Sequence, residues 1–162
     1  MEWNNLSRVL EEYGDALQNS LKNAYLENDK KASGELIESV RYIITKNERE
    51  IEVSLNLAEW WKYIEYGRRP GKFPPTDAIM KWIKIKPVIP TEGVTGKLPT
   101  EQQLAFLIGR KIAMKGIEAG NYLTMTVEEV NRNFEYRIID AINKDIDENL
   151  TVIFNEYFTG LN

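Results

Sequence analysis

The sequence predicts an α+β fold in which a small antiparallel β-hairpin packs with a long helix at either end of the chain. Three observations carry this. Apolar residues recur at helical spacing near the start, they recur again over the last third, and strict alternation of apolar and polar residues occupies 51–57. With 162 residues the chain suits one domain, numbered 1–162, with a helical insertion at about 75–116.

The first helix runs from Leu6 to Leu26. Leu6, Leu10, Tyr13, Leu17, Leu21 and Ala24 form its apolar stripe, with Val9 and Tyr25 beside them, and Glu11, Glu12, Asp15 and Lys22 its wet face. The polar run from Glu27 to Lys31 ends it. Next, Ile37 to Thr45 reads as a strand because it is rich in β-branched residues, with Val40, Tyr42 and Ile44 on one face. Ile51, Val53, Leu55 and Leu57 alternate with Glu52, Ser54 and Asn56 to give the second strand. The polar Asn47-Glu48-Arg49 suits the turn between them. So small a hairpin is not stable alone, and both long helices are expected to cover its apolar face, burying Val53 and Leu55 against Phe134, Ile138 and Ile142.

Ala58 to Tyr66 reads as a short aromatic helix. Gly67 to Pro75, with three cations, two glycines and three prolines, reads as a loop. Pro75 suits the first turn of the following helix, which carries Ala78, Ile79, Trp82 and Ile83 and must stop near Lys86 because Pro87 follows. Pro87 to Pro99 is a second loop. Thr100 and Gln103 have capping-box spacing ahead of Leu104, Leu107, Ile108 and Ile112, and Gly116 is a helix stop. A further capping box, Thr126 with Glu129, predicts the start of the last long helix, with Val130, Phe134, Ile138, Ala141, Ile142 and Ile146 as its stripe. Periodicity leaves residues 150–158 open between helix and strand.

Composition narrows the chemistry. Hydrophobic residues make up 43% and charged residues 28%, with a net charge of -4 and no Cys or His. That removes disulfides, thiolate catalysis, Cys-type zinc sites and the commonest general base. An enzyme would have to work with Asp, Glu, Lys, Tyr, Ser or Thr, and the expectation is a chain with no catalytic, metal or cofactor site. Gly67 to Lys72 and Gly93 to Lys97 resemble phosphate loops only superficially. Their glycines are too close together, and a Phe or Leu follows the Lys where Ser or Thr should stand. Acids group at Glu11/Glu12, Glu128/Glu129 and Asp145/Asp147/Glu148, and adjacent acids on a helix point about 100° apart, so such neighbours do not converge on one metal. The opening Met1-Glu2-Trp3-Asn4-Asn5 has neither the basic nor the apolar run of a secretory signal, so folding in a cytoplasm is expected. No apolar stretch approaches the roughly 20 residues that span a bilayer, so no membrane partner is expected.

The candidate interaction site is the aromatic-basic segment Trp60, Trp61, Tyr63, Glu65, Tyr66, Gly67, Arg68, Arg69, Pro70, Lys72 and Phe73. Adjacent Trp60 and Trp61 cannot face the same way, so one of them is an interface anchor. Arg68 and Arg69 can pair bidentately with carboxylates, and the prolines stiffen the loop.

At these residues the sequence resembles the neck, or tail-completion, proteins of tailed bacteriophages. The similarity rests on a long first helix, the segment Ala32-Ser33-Gly34-Glu35-Leu36 with Ser39, a hairpin, and then Tyr63-Ile64-Glu65-Tyr66-Gly67 followed by Arg68, Arg69 and Pro70. Gly71 to Pro75 and Leu104 to Ala113 are similar to a branch of that family with a helical insertion. Ala119 to Leu123 stands where the family often has an Arg-Pro-Phe-Leu type segment and lacks the Arg-Pro. The resemblance implies a head–tail connector, a non-enzymatic virion protein made in the cytoplasm of an infected bacterium. It implies a homo-oligomeric ring, twelve-fold or six-fold, with the portal and adjoining neck or tail proteins as partners and the genomic DNA in passage through it. An acidic chain suits a DNA conduit, since like charge keeps the genome from sticking. The alternative reading is a small adaptor or regulatory protein-binding domain.

Overall fold

The computed structural model describes residues 2–28, 34–47, 50–85 and 98–159. The expected turn residues Glu48 and Arg49, the end of the polar run at Asp29 to Lys31, and the loop from Pro87 to Lys97 lie outside the described residues. In chain order the elements are α1 (Asn4–Glu27), α2 (Glu35–Ser39), β1 (Arg41–Lys46), β2 (Ile51–Asn56), α3 (Trp61–Glu65), α4 (Thr76–Ile85), α5 (Glu101–Lys115) and α6 (Tyr122–Thr159). The expected α+β class holds.

Helix α1 forms because Val9, Leu17, Leu21 and Tyr25 fall on one side, and this side is buried. It runs antiparallel to α6. Asn5 meets Asp145 and Glu148, the Tyr13 hydroxyl donates to Asn131 Oδ1 at 2.6 Å, Arg137 pairs with Glu12, and Tyr25 stacks edge-on with Tyr122 at 5.9 Å. The first core cluster holds Val9, Leu17, Val130, Phe134 and Ala141, with Leu55 and Ile138 packed against it. Phe134 sits edge-on to Tyr13 at 5.6 Å.

The hairpin pairs β1 with β2 from Arg41↔Asn56 to Lys46↔Ile51. Tyr42, Ile44, Val53 and Leu55 share its inner face, as the alternation predicts. That face rests mainly on α1, not equally on both long helices. The contact is close at Gly14, where an added Cβ would lie 2.3 Å from the Tyr42 ring. Gln18 Oε1 accepts the Tyr42 backbone N–H at 3.3 Å. The expected burial of Val53, Leu55, Ile138 and Ile142 is partial: all four remain half-exposed, Phe134 alone of the expected set is buried, and Ala141 takes a buried place beside it.

Two expectations fail locally. The stretch assigned to a strand from Ile37 begins as helix α2, and β1 starts only at Arg41. Leu36 and Val40 lie four apart, and both enter the second cluster with Leu21 and Tyr25. One helical turn from Gly34, at φ 82°, satisfies that spacing better than a strand. Ser39 then donates to Leu36 O and accepts from Ala58 N, tying α2 to the chain after β2. The last helix begins at Tyr122, four residues before the predicted cap. Thr126 is buried inside it and caps nothing.

The insertion forms its own small cluster, with Ile79, Ile83 and Ala105 buried between α4 and α5. Helix α5 has the predicted ends. Gln103 N donates to Thr100 Oγ1 at 3.3 Å, Thr100 N donates to Gln103 Oε1 at 3.0 Å, and Gly116 closes it at φ 78°. The open question at 150–158 resolves as helix, because α6 continues to Thr159.

Candidate functional site: the stem and the two exposed ends

The chain leaves the hairpin through α3 and enters the insertion through residues 66–75. It returns through 116–121 into α6. These two passages are zipped together. Gly120 N donates to Ile64 O at 2.9 Å and Asn121 N to Glu65 O at 3.1 Å. Arg68 and Ile117 exchange two backbone hydrogen bonds of 2.8 Å, and Gly71 N donates to Ala113 O at 2.7 Å. Residues 66–75 are therefore one side of a two-stranded stem, not a loop held away from the sheet. Gly67 and Gly116 permit this close approach. A Cβ on Gly67 would lie 2.2 Å from Ile117 O, and one on Gly116 2.2 Å from Arg68 O. Both have positive φ.

The stem sorts the predicted site residues into two groups. Glu65 lies wholly inside the fold at 0% exposure. Its Oε2 accepts the Leu123 N–H at 2.8 Å, and its Oε1 accepts the Thr124 N–H at 3.0 Å and the Thr124 hydroxyl at 2.6 Å. Glu65 is thus the N-terminal cap of α6, supplied from α3, and its carboxylate faces the positive end of the helix dipole. It presents nothing to a neighbour. Trp61 is half-buried against the second core cluster and lies 5.7 Å from the Tyr66 ring. Phe73 packs over α5 at Gly109 and against Phe106 at 5.6 Å.

The second group faces water. Trp60, Tyr63 and Tyr66 are exposed, so of the adjacent tryptophans Trp60 is the outward one. Arg69, Pro70 and Lys72 are exposed, whereas the Arg68 guanidinium folds back to donate to Lys72 O at 2.7 Å. Arg69 makes no hydrogen bond or ion pair among the described residues.

Beyond the predicted segment, two further surfaces stand out. At the far end of α6, every residue from Leu150 to Thr159 is exposed, including Leu150, Ile153, Phe154, Tyr157 and Phe158. Helix α1 ends its contact with α6 near Asn149, which accepts from Glu2 N and donates to Glu2 O, so these last turns overhang. The other surface is the outer face of α5, where Leu107, Arg110 and Met114 are exposed at spacings of three and four. Charge separates the two. Residues 66–121 hold ten Lys or Arg against four Asp or Glu, while the rest of the chain holds eleven against twenty-one. A segment-wise charge count finds this polarity, which the whole-chain value of -4 conceals.

An open groove of about 450 Å³ lies between α1, β2 and the start of α6, lined by Tyr13, Leu17, Val53, Leu57, Trp61 and Leu123. Among the described residues, no group of three acids is placed to hold a metal ion, and no helix is long and apolar enough to cross a membrane. No protein-family model matches the chain, and no curated protein or solved structure does either.

Proposed function

We propose that this chain is a non-enzymatic structural protein of a tailed-bacteriophage particle, one copy of a ring in the neck that joins the portal of the filled head to the tail. The observation that carries this reading is the pairing of two unlike exposed surfaces on one chain. One is the apolar, acidic end of α6; the other is the aromatic-basic stem with its insertion. Large apolar patches on a soluble chain mark contacts with other proteins. Two different complementary faces per subunit are what a closed ring requires. The order of sequence features shared with neck proteins adds the setting, and DNA passes through such a ring without being acted on.

The test is mass and imaging. In the presence of portal, the purified chain should form a discrete large oligomer, and particles lacking it should accumulate unjoined heads and tails in electron micrographs. A chain that stays monomeric with portal, and whose loss leaves joined infectious particles, would overturn the reading.

A further inference from the structure

We infer that the exposed last turns of α6 dock on the outer face of α5 in a second copy of this chain, so that copies join head to tail. The contact rests on the ring reading above and names the faces that build it.

The overhang presents Leu150, Ile153, Phe154 and Tyr157 along one side, and between Asp145 and Thr159 there is no Lys or Arg. Its charges are Asp147, Glu148 and Glu156, all exposed. Two such ends set against each other would oppose acid to acid with no cation between them, which disfavours α6 pairing with α6. The α5 face has the complementary make-up. Leu107 and Met114 are exposed at 52% and 66%, with Arg110 between them and Lys111 and Lys115 beside them. Leu150, Ile153 and Tyr157 follow spacings of three and four, as do Leu107, Arg110 and Met114. Ridges of that spacing interdigitate between helices.

Geometry makes the contact intermolecular. From Tyr122 to Leu150 helix α6 rises about 42 Å at 1.5 Å per residue. Helix α5 is about 22 Å long by the same measure, and its C-terminal end is pinned at the stem, beside the start of α6. The chain's own α5 cannot reach its own overhang. The two faces lie at opposite ends of the molecule, so each copy offers one to the next, and a constant rotation closes the series into a ring. A single contact between two helix faces is small and weak. Closure holds every copy at two contacts, which raises the effective concentration at each.

The chain has no cysteine, so an introduced thiol reports one contact cleanly. Phe154→Cys is prepared in one sample and Met114→Cys in another, both at exposed positions, with circular dichroism to verify the fold. Under mild oxidation, the mixture should give a disulfide-linked dimer that neither variant gives alone. Its yield should fall about tenfold when salt shortens the screening length from about 10 Å to about 3 Å. Arg110→Glu with Lys111→Glu, added to the Met114→Cys chain, should abolish it. Asp147→Lys with Glu156→Lys, added to the Phe154→Cys chain, should then restore it. Cross-linking of Phe154→Cys with itself, or no cross-link in the mixture, overturns the contact. An assembly whose mass is unchanged by the charge reversal also overturns it, while leaving the ring reading standing.

Discussion

Asp145 accepts the backbone N–H of Leu6 on its Oδ2 at 2.8 Å, across 139 residues of sequence. Its Oδ1 accepts the Asn5 backbone and side-chain N–H groups, both at 2.9 Å. This aspartate lies on α6 and caps α1, just as Glu65 lies on α3 and caps α6. Each long helix is therefore closed at its N-terminus by a buried carboxylate from another element, and packing and capping become one cooperative event.

Removing the Asp145 carboxylate should be costly. Asp145→Ala leaves the half-buried Asn5 and Leu6 amides of α1 without this partner, and about 1–3 kcal/mol of stability should be lost, measured by urea denaturation. Asp145→Asn keeps one acceptor and should lose less. Burial by itself would raise this carboxyl above its ordinary 3.8, but the Leu6 and Asn5 donors, with Lys46 nearby, outweigh it and hold it lower. A lowered acid stabilises the fold above its unfolded value, and that contribution is lost as pH falls through the folded one. The acid limb of the stability profile should flatten in Asp145→Asn. An unchanged limb would mean that other carboxylates set it.

Tyr25 should behave oppositely. Its ring is fully buried, and its hydroxyl has no hydrogen-bond partner among the described residues. Tyr25→Phe removes a desolvated polar group and keeps the shape, so stability at neutral pH should change by less than about 1 kcal/mol or should rise. Burial, and after it the Glu65 charge, push the phenol up from 10.0 to about 12. The unfolded chain ionises first as pH rises, so native stability should fall between about pH 10 and 12. Tyr25→Phe should remove that part of the decline. A loss of several kcal/mol at neutral pH would instead reveal a hydrogen bond at this hydroxyl.

The stem predicts a contrast among glycines. Gly67→Ala puts a Cβ into Ile117 O at a backbone angle of φ 67° and should destabilise by about 1–3 kcal/mol. Gly116→Ala meets Arg68 O in the same way. Gly71, at φ 128°, has open space around it, so Gly71→Ala carries backbone strain but no clash and should cost less than either. Thermal melts of the three variants would check the order, and a Gly71→Ala effect as large as that of Gly67→Ala would contradict the zipped stem.

What the sequence revealed follows the range of the interaction. The stripe of α1, the alternation of β2, and the cap and stop of α5 all depend on residues within a few positions, and each was legible. The start of α6 was not, because Glu65 caps it from 58 residues away while Thr126 and Glu129 offered a local decoy. Helix α2 escaped because Leu36 and Val40 answer to Leu21 and Tyr25, and β-branched residues at 37 and 40 mimic a strand. The aromatic-basic segment stands out in the sequence, yet its residues divide. Glu65 and Trp61 serve the interior, and Trp60, Tyr63, Tyr66 and Arg69 remain outside. The overhang of α6 was unreadable by periodicity because, among the described residues, no element of its own chain packs on it.

That last feature gives the clearest separation of fold from assembly. Truncation after Asn149 removes only exposed turns of α6 among the described residues. The interior stays whole, since Val130, Phe134, Ala141 and Asp145 all precede the cut. Asn149 remains to donate to Asp145 O at 2.6 Å and Glu2 O at 2.7 Å, so the new helix end keeps a side chain over its carbonyl groups. Surface changes of this kind shift stability by about 0.5 kcal/mol or less, and the denaturation midpoint should stay near that of the full chain. Association should nevertheless disappear, because the apolar ridge of Leu150, Ile153, Phe154 and Tyr157 goes with the cut. Sedimentation and urea melts on the same preparation read the two properties together. A stability loss above about 2 kcal/mol would show that the overhang folds back on its own chain, where each core residue it touched would account for a loss of that size.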